Sequence, residues 1–101
     1  MAFISLLTLD LHLPANADLK GKRKEVKSLT EQLRGRFGAA VAETDHHDLW
    51  QRATLTVALV GRDHGPLEET VDALQRHVES RFGDLVSWRR QVFSTADLSE
   101  H

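Results

Sequence analysis

Seven basic residues crowd one short stretch of this chain: Lys20, Lys22, Arg23, Lys24, Lys27, Arg34 and Arg36, with only Glu25 and Glu31 among them. The stretch carries +5 in a chain of net charge −2, which leaves −7 for the remainder. A global electrostatic pull on nucleic acid is excluded, and a local one is not. Lys20, Lys22, Arg23, Lys24 and Lys27 open a segment of helical periodicity, where the backbone dipole disfavours cations. Amines gathered there beside free amides form a place for phosphate. The competing reading is a solvated, lysine-rich helix face, with Asp18 and Glu25 offsetting part of the repulsion. Arg23, four residues after Leu19 and three before Val26, has a further option: it borders the apolar stripe and can brace the sheet end.

The run Asp45-His46-His47-Asp48 is the second group with chemistry in it. A metal needs several imidazoles or carboxylates converging from one side, and neighbours in an extended segment point oppositely. Only one of His46 and His47 can then join a given site, and turn chemistry explains the run more cheaply. Asp10 and His12 share a strand face at acid–base spacing, a pattern more often solvent-facing than catalytic. There is no cysteine, no G-x-S-x-G elbow and no glycine loop for phosphates. The expectation is a protein without metal or cofactor, and not an enzyme.

The elements that position these groups follow from periodicity. Phe3 to Leu13 reads as a strand apolar on both faces near its start, hence central in a sheet. Asp18 caps a helix reaching about Phe37, with Leu19, Val26, Leu29, Leu33 and Phe37 as its buried stripe and Gly38 as its stop. Ala39 to Asp45 and Trp50 to Val60 read as a hairpin around a polar turn at His46–Leu49. After a loop at Gly61–Gly65, Pro66 starts a second helix with Leu67, Val71, Leu74, Val78 and Phe82 inward. Leu85 to Phe93 is an edge strand. The order β-α-β-β-α-β predicts an α+β, ferredoxin-like fold: a four-stranded antiparallel sheet with two helices on one face.

The 101 residues make one domain, assigned to 1–94, with a frayed polar tail over 95–101. With 41% hydrophobic and 28% charged residues the chain reads as an ordinary soluble globule. Its opening apolar run, Ala2 to Leu9, is too short to cross a bilayer, so a cytoplasmic protein without membrane contact is expected. Both helices are expected to begin at the same end, since each follows an inner strand and those two strands are taken to run parallel, bringing Lys20–Lys27 close to the Gly61–Gly65 loop. The open sheet face, with Ile4, Leu6, Thr54, Thr56 and Ala58 on its central strands, has no aromatic there on which to stack bases. It suits a homodimer or protein partner through Leu6, Trp50, Thr54 and Thr56, with Trp50 and Trp88 as extensions or as half-buried packing residues.

Three blocks carry a resemblance: Leu6 to Pro14 (L-L-T-L-D-L-H-L-P), Leu19 to Arg23 with Val26 to Leu29, and Asp45 to Ala53. In this order they resemble the YlxP-like bacterial family, domain-of-unknown-function family 503. The resemblance implies a ferredoxin-like domain and a small cytoplasmic protein. It also implies a gene placed among translation and transcription genes, near a ribosome-binding factor. It carries over no catalytic residue. Gly21 stands where that pattern has a glutamate, which predicts a looser, more positive helix start, and His47 stands where it has a glutamine. The expected function is an RNA- or ribosome-associated accessory factor holding phosphates through Lys20, Lys22, Arg23, Lys24 and Lys27.

Overall fold

The computed structural model describes residues 1–98. Strands β1 (Phe3–His12), β2 (Ala40–Asp45), β3 (Arg52–Gly61) and β4 (Val86–Ser94) form one antiparallel sheet in the order β2-β3-β1-β4. Helices α1 (Leu19–Phe37) and α2 (His64–Phe82) cover one face, and a short α3 (Thr95–Leu98) follows β4. This is the ferredoxin-like α+β arrangement predicted from the order of elements.

Leu9 pairs with Leu55 on one side and Trp88 on the other, and this register decides what each face carries. Leu7, Leu9 and Leu11 join Ala53, Leu55, Val57 and Leu59 beneath the helices, where Leu29, Leu33, Leu67, Val71, Leu74, Val78 and Phe82 close the core. Arg90 also points to the helix side but lies at the edge. Its guanidinium reaches α2 and donates to Glu68 (3.1 Å), Asp72 (2.9 Å) and Gln75 (3.0 Å), clamping β4 to the helix.

Helix starts and stops follow local chemistry. Asp18 Oδ1 accepts from the Gly21 amide at 2.7 Å, and Gly38 ends α1 in the left-handed region at φ 67°. The second helix begins at His64, two residues ahead of Pro66. Proline in the third helical position costs nothing, because that amide has no intrahelical acceptor; the first helical bond runs from Leu67 N–H to the Asp63 carbonyl.

Two expectations are corrected. β1 and β3 run antiparallel, so α1 and α2 start at opposite ends of the sheet. The Gly61–Gly65 loop therefore lies by the C-terminal end of α1, where Gly61, Arg62 and Asp63 share a groove of about 340 Å³ with Phe37 and Gly38. The neighbour of the Lys20–Lys27 stretch is instead the end of α2, with Arg81 donating to Ser28 at 3.4 Å. Thr95 to Leu98 are not frayed but helical. Thr95 N–H donates to the Ala2 carbonyl (2.8 Å), and the Ala2 amide donates back to Thr95 Oγ1 (2.9 Å). The rest of the predicted tail, 99–101, lies outside the described residues.

Candidate functional site

Helical geometry sorts the cations of α1. At about 100° per residue, Lys20, Arg23, Lys27 and Arg34 fall within about 60° of one another, and Lys24 lies just beyond them. Arg34 donates to the Val41 carbonyl at 2.7 Å, so this flank overhangs the edge strand β2. Lys20, Arg23, Lys24 and Lys27 are exposed, and among the described residues none of the four makes an ion pair. A shallow groove beside them is lined by Gly21, Lys24, Ser28 and Arg81 together with the carboxylate of Glu25.

Lys22 is not part of this surface. It is 1% exposed and points inward, correcting its assignment as a phosphate contact. Its ammonium donates to the carbonyls of His46 and His47 and pairs with Glu43 at 2.9 Å. Position 22, three after Leu19 and four before Val26, belongs to the buried stripe. Arg23, one step around the helix, is exposed and braces no sheet end. The amides of the first turn are also fewer than expected, because the Asp18 cap occupies that of Gly21. A Cβ at position 21 would lie 3.3 Å from Asp18 Oδ1, so glycine lets the capping carboxylate close in; the helix start is capped rather than loose.

What Lys22 holds is the β2–β3 turn, and other bonds hold it too. His46 has φ 62°, the one left-handed non-glycine among the described residues. Its amide donates to Asp45 Oδ1 at 2.7 Å. Thr54 Oγ1 donates to Asp10 Oδ1 (2.6 Å), so its oxygen must accept from His46 Nδ1–H (2.8 Å). That chain binds the turn to β1 across the open face. Gln51 closes the third side: its carbonyl accepts from Leu13 N–H at 2.8 Å, and its side chain donates to the Pro14 and Asn16 carbonyls. Where this braced turn leads into β3, Leu49 and Trp50 stand 45% and 47% exposed.

The same bonds place the remaining candidates. His46 turns to Thr54 while His47 bonds the Glu43 carbonyl at 3.0 Å, so the two imidazoles diverge. Among the described residues no group of three or more His, Asp and Glu side chains is placed to hold a metal. Asp10 is engaged by Thr54 and lies 3.8 Å from Arg52, without His12 as a partner. Thr54 is buried and fully bonded, which corrects its assignment as an interface residue. Thr56 shares a hydrogen bond with Thr44 at 2.8 Å, and Leu6 is half-buried between Ala58 and Gln91. Trp88 faces the helices and packs against the core, so it does not extend the open face. Trp50 is the exposed tryptophan.

A solved structure shares this architecture. A designed protein, titled "De novo designed protein Foldit4", superposes with a TM-score of 0.62 at 10% identity, over 93% of this chain and 98% of its own, a likeness of fold alone. A hydantoinase/carbamoylase family amidase from Burkholderia ambifaria is also similar, at a TM-score of 0.49 and 14% identity over 92% of this chain and 27% of its own. No curated protein matches the sequence. Residues 4–90 match the family described as "Protein of unknown function (DUF503)", and the chain belongs to that family.

Proposed function

We propose that this protein is a non-enzymatic accessory factor of the cytoplasm that holds the phosphate backbone of RNA, ribosomal particles included, on the outer flank of α1. One observation carries the reading: Lys20, Arg23, Lys24 and Lys27 stand exposed on one helix, unpaired by acids among the described residues. Side chains serving only helix stability would put acids in the first turn, and α1 has none there. Contacts of this kind position a backbone and read no bases. Co-sedimentation with ribosomal particles at low salt tests it. Binding is expected to weaken steeply with salt, and to be lost when Lys24 and Lys27 are both reversed to Glu. Retention by that double variant, or indifference to salt, refutes the reading. Lys22 is left intact, since its reversal would break the interior.

A second reading has its own observation. Val60 is 73% exposed on the open sheet face, beside Ile4 and Ala58. A second copy of the chain would cover that apolar half. Light scattering at high concentration decides it: a strict monomer excludes the homodimer, and a dimer abolished by Val60→Lys establishes it.

A further inference from the structure

The sheet has two edges, β2 and β4, and the chain treats them differently. Alternation along an antiparallel ladder decides which backbone groups turn outward. Leu13 N–H donates to the Gln51 carbonyl, so the odd residues of β3 bond to β1, and Thr56 and Ala58 are left for Ala42 and Ala40 of β2. Val41 and Glu43 therefore turn their carbonyls outward, and both are occupied. Arg34 donates to the first at 2.7 Å and the His47 Nε2–H to the second at 3.0 Å. β2 has six residues, and a bulge breaks its register between Glu43 and Asp45. A short, bulged strand with its outward carbonyls taken is a closed edge.

The β4 edge is open. Thr95 N–H donates to the Ala2 carbonyl, and the same alternation gives the amides and carbonyls of Ser87, Arg89, Gln91 and Phe93 to β1. Those of Trp88, Arg90 and Val92 turn outward along a strand of nine residues in unbroken register, and no group among the described residues bonds them. Packing is unfinished here too. Val92 is 43% exposed on the helix side. Ser5, its partner across the ladder, has a buried hydroxyl without a hydrogen bond, in a cavity of about 110 Å³ that Arg90 and Val92 help to line.

The closed edge limits what can pair with the open one. Strand pairing between copies of this chain has only β4 to use on either side, so it joins β4 to β4 about a two-fold axis and stops at two. Charge selects the register. Pairing centred on Arg89 or Arg90 sets two guanidiniums directly opposite each other. Centring it on Gln91 sets Arg89 opposite the partner's Phe93 and Arg90 opposite the partner's Val92, so each cation meets an apolar side chain. The outward groups of Arg90 and Val92 then bond reciprocally, and the ladder keeps most of β4, from Trp88 to Ser94. We propose that two copies of this chain pair through β4, antiparallel and centred on Gln91, joining their four-stranded sheets into one. The interface uses neither the cations of α1 nor the Val60 side of the open face.

Sedimentation velocity of the full chain over a range of concentrations reads the assembly, and dimer with nothing larger is expected. Val92→Pro removes an outward N–H that β1 does not use, and the two-fold axis doubles the loss; dimerisation should weaken by about 10- to 100-fold. Val92→Lys sets an ammonium opposite the partner's Arg90 and should act in the same direction; it decides if the proline variant does not fold. The chain has no cysteine, so Gln91→Cys adds a single thiol. Residues directly opposite in a pair of this kind lie about 4.5 Å apart at Cα, within disulfide reach. Mild oxidation should link Gln91→Cys protein into covalent dimers and leave Ser87→Cys protein unlinked. A strict monomer overturns the proposal, including one that takes up an extended peptide along β4. A dimer that Val60→Lys abolishes and both Val92 variants leave intact overturns it in favour of the open face. Equal linkage of the two cysteine variants, or assemblies beyond the dimer, overturns it as well.

Discussion

The two long helices have 19 residues each and cover the same sheet, yet they are built differently. α2 buries an unbroken apolar stripe: Leu67, Val71, Leu74, Val78 and Phe82. Its acids Glu68 and Asp72 are consumed by Arg90 of the neighbouring strand. On α1 only Leu29 and Leu33 among the apolar residues are fully buried, and the third buried position is Lys22. Most of its other cations face water without an ion pair among the described residues. α2 is a helix specified by the core. α1 gives up part of its grip on the core to fasten a turn and to carry charge outward.

The sharpest way to break that contrast is to treat the helices alike. Lys22→Ala strands Glu43 and two carbonyls and is expected to cost about 3–5 kcal/mol in denaturant unfolding. Replacing the pair together, Lys22→Met with Glu43→Leu, should recover much of that; no recovery would mean that the carbonyl contacts dominate. Leu74→Ala, at a fully buried site on α2, is expected to cost about 2–5 kcal/mol, from lost burial and the cavity left behind. A smaller loss, about 1 kcal/mol, is expected when Asp18→Ala removes the α1 cap. Smallest is Lys27→Glu, within about 0.5 kcal/mol in the same assay. A large loss there would give Lys27 a structural duty and weaken its claim as a phosphate contact.

Strand order and both helical stripes were legible because Leu7, Leu9, Leu11 and the Leu67–Phe82 series repeat at periods of two and three to four. The relative placement of the helices was misread by taking the two inner strands as parallel, against the antiparallel sheet that the order of elements predicts: an antiparallel β1–β3 pair sends α1 and α2 off opposite ends. Of the candidate site, the basic flank was visible as composition, and the sequence left Trp50 between an open-face contact and half-buried packing, which its 47% exposure decides. The inward turn of Lys22 had a signal, its spacing from Leu19 and Val26, which its charge concealed. The His46–Thr54–Asp10 chain had none, since it joins positions 44 residues apart only through the register of β1 and β3.

All four lysines of this chain fall within positions 20–27, and the fold seals one of them while leaving three in water. An amine-directed reagent meeting the folded protein should acylate Lys20, Lys24 and Lys27 and spare Lys22. The appearance of label on Lys22, followed by mass spectrometry, would time the release of the hairpin from the helix it is moored to.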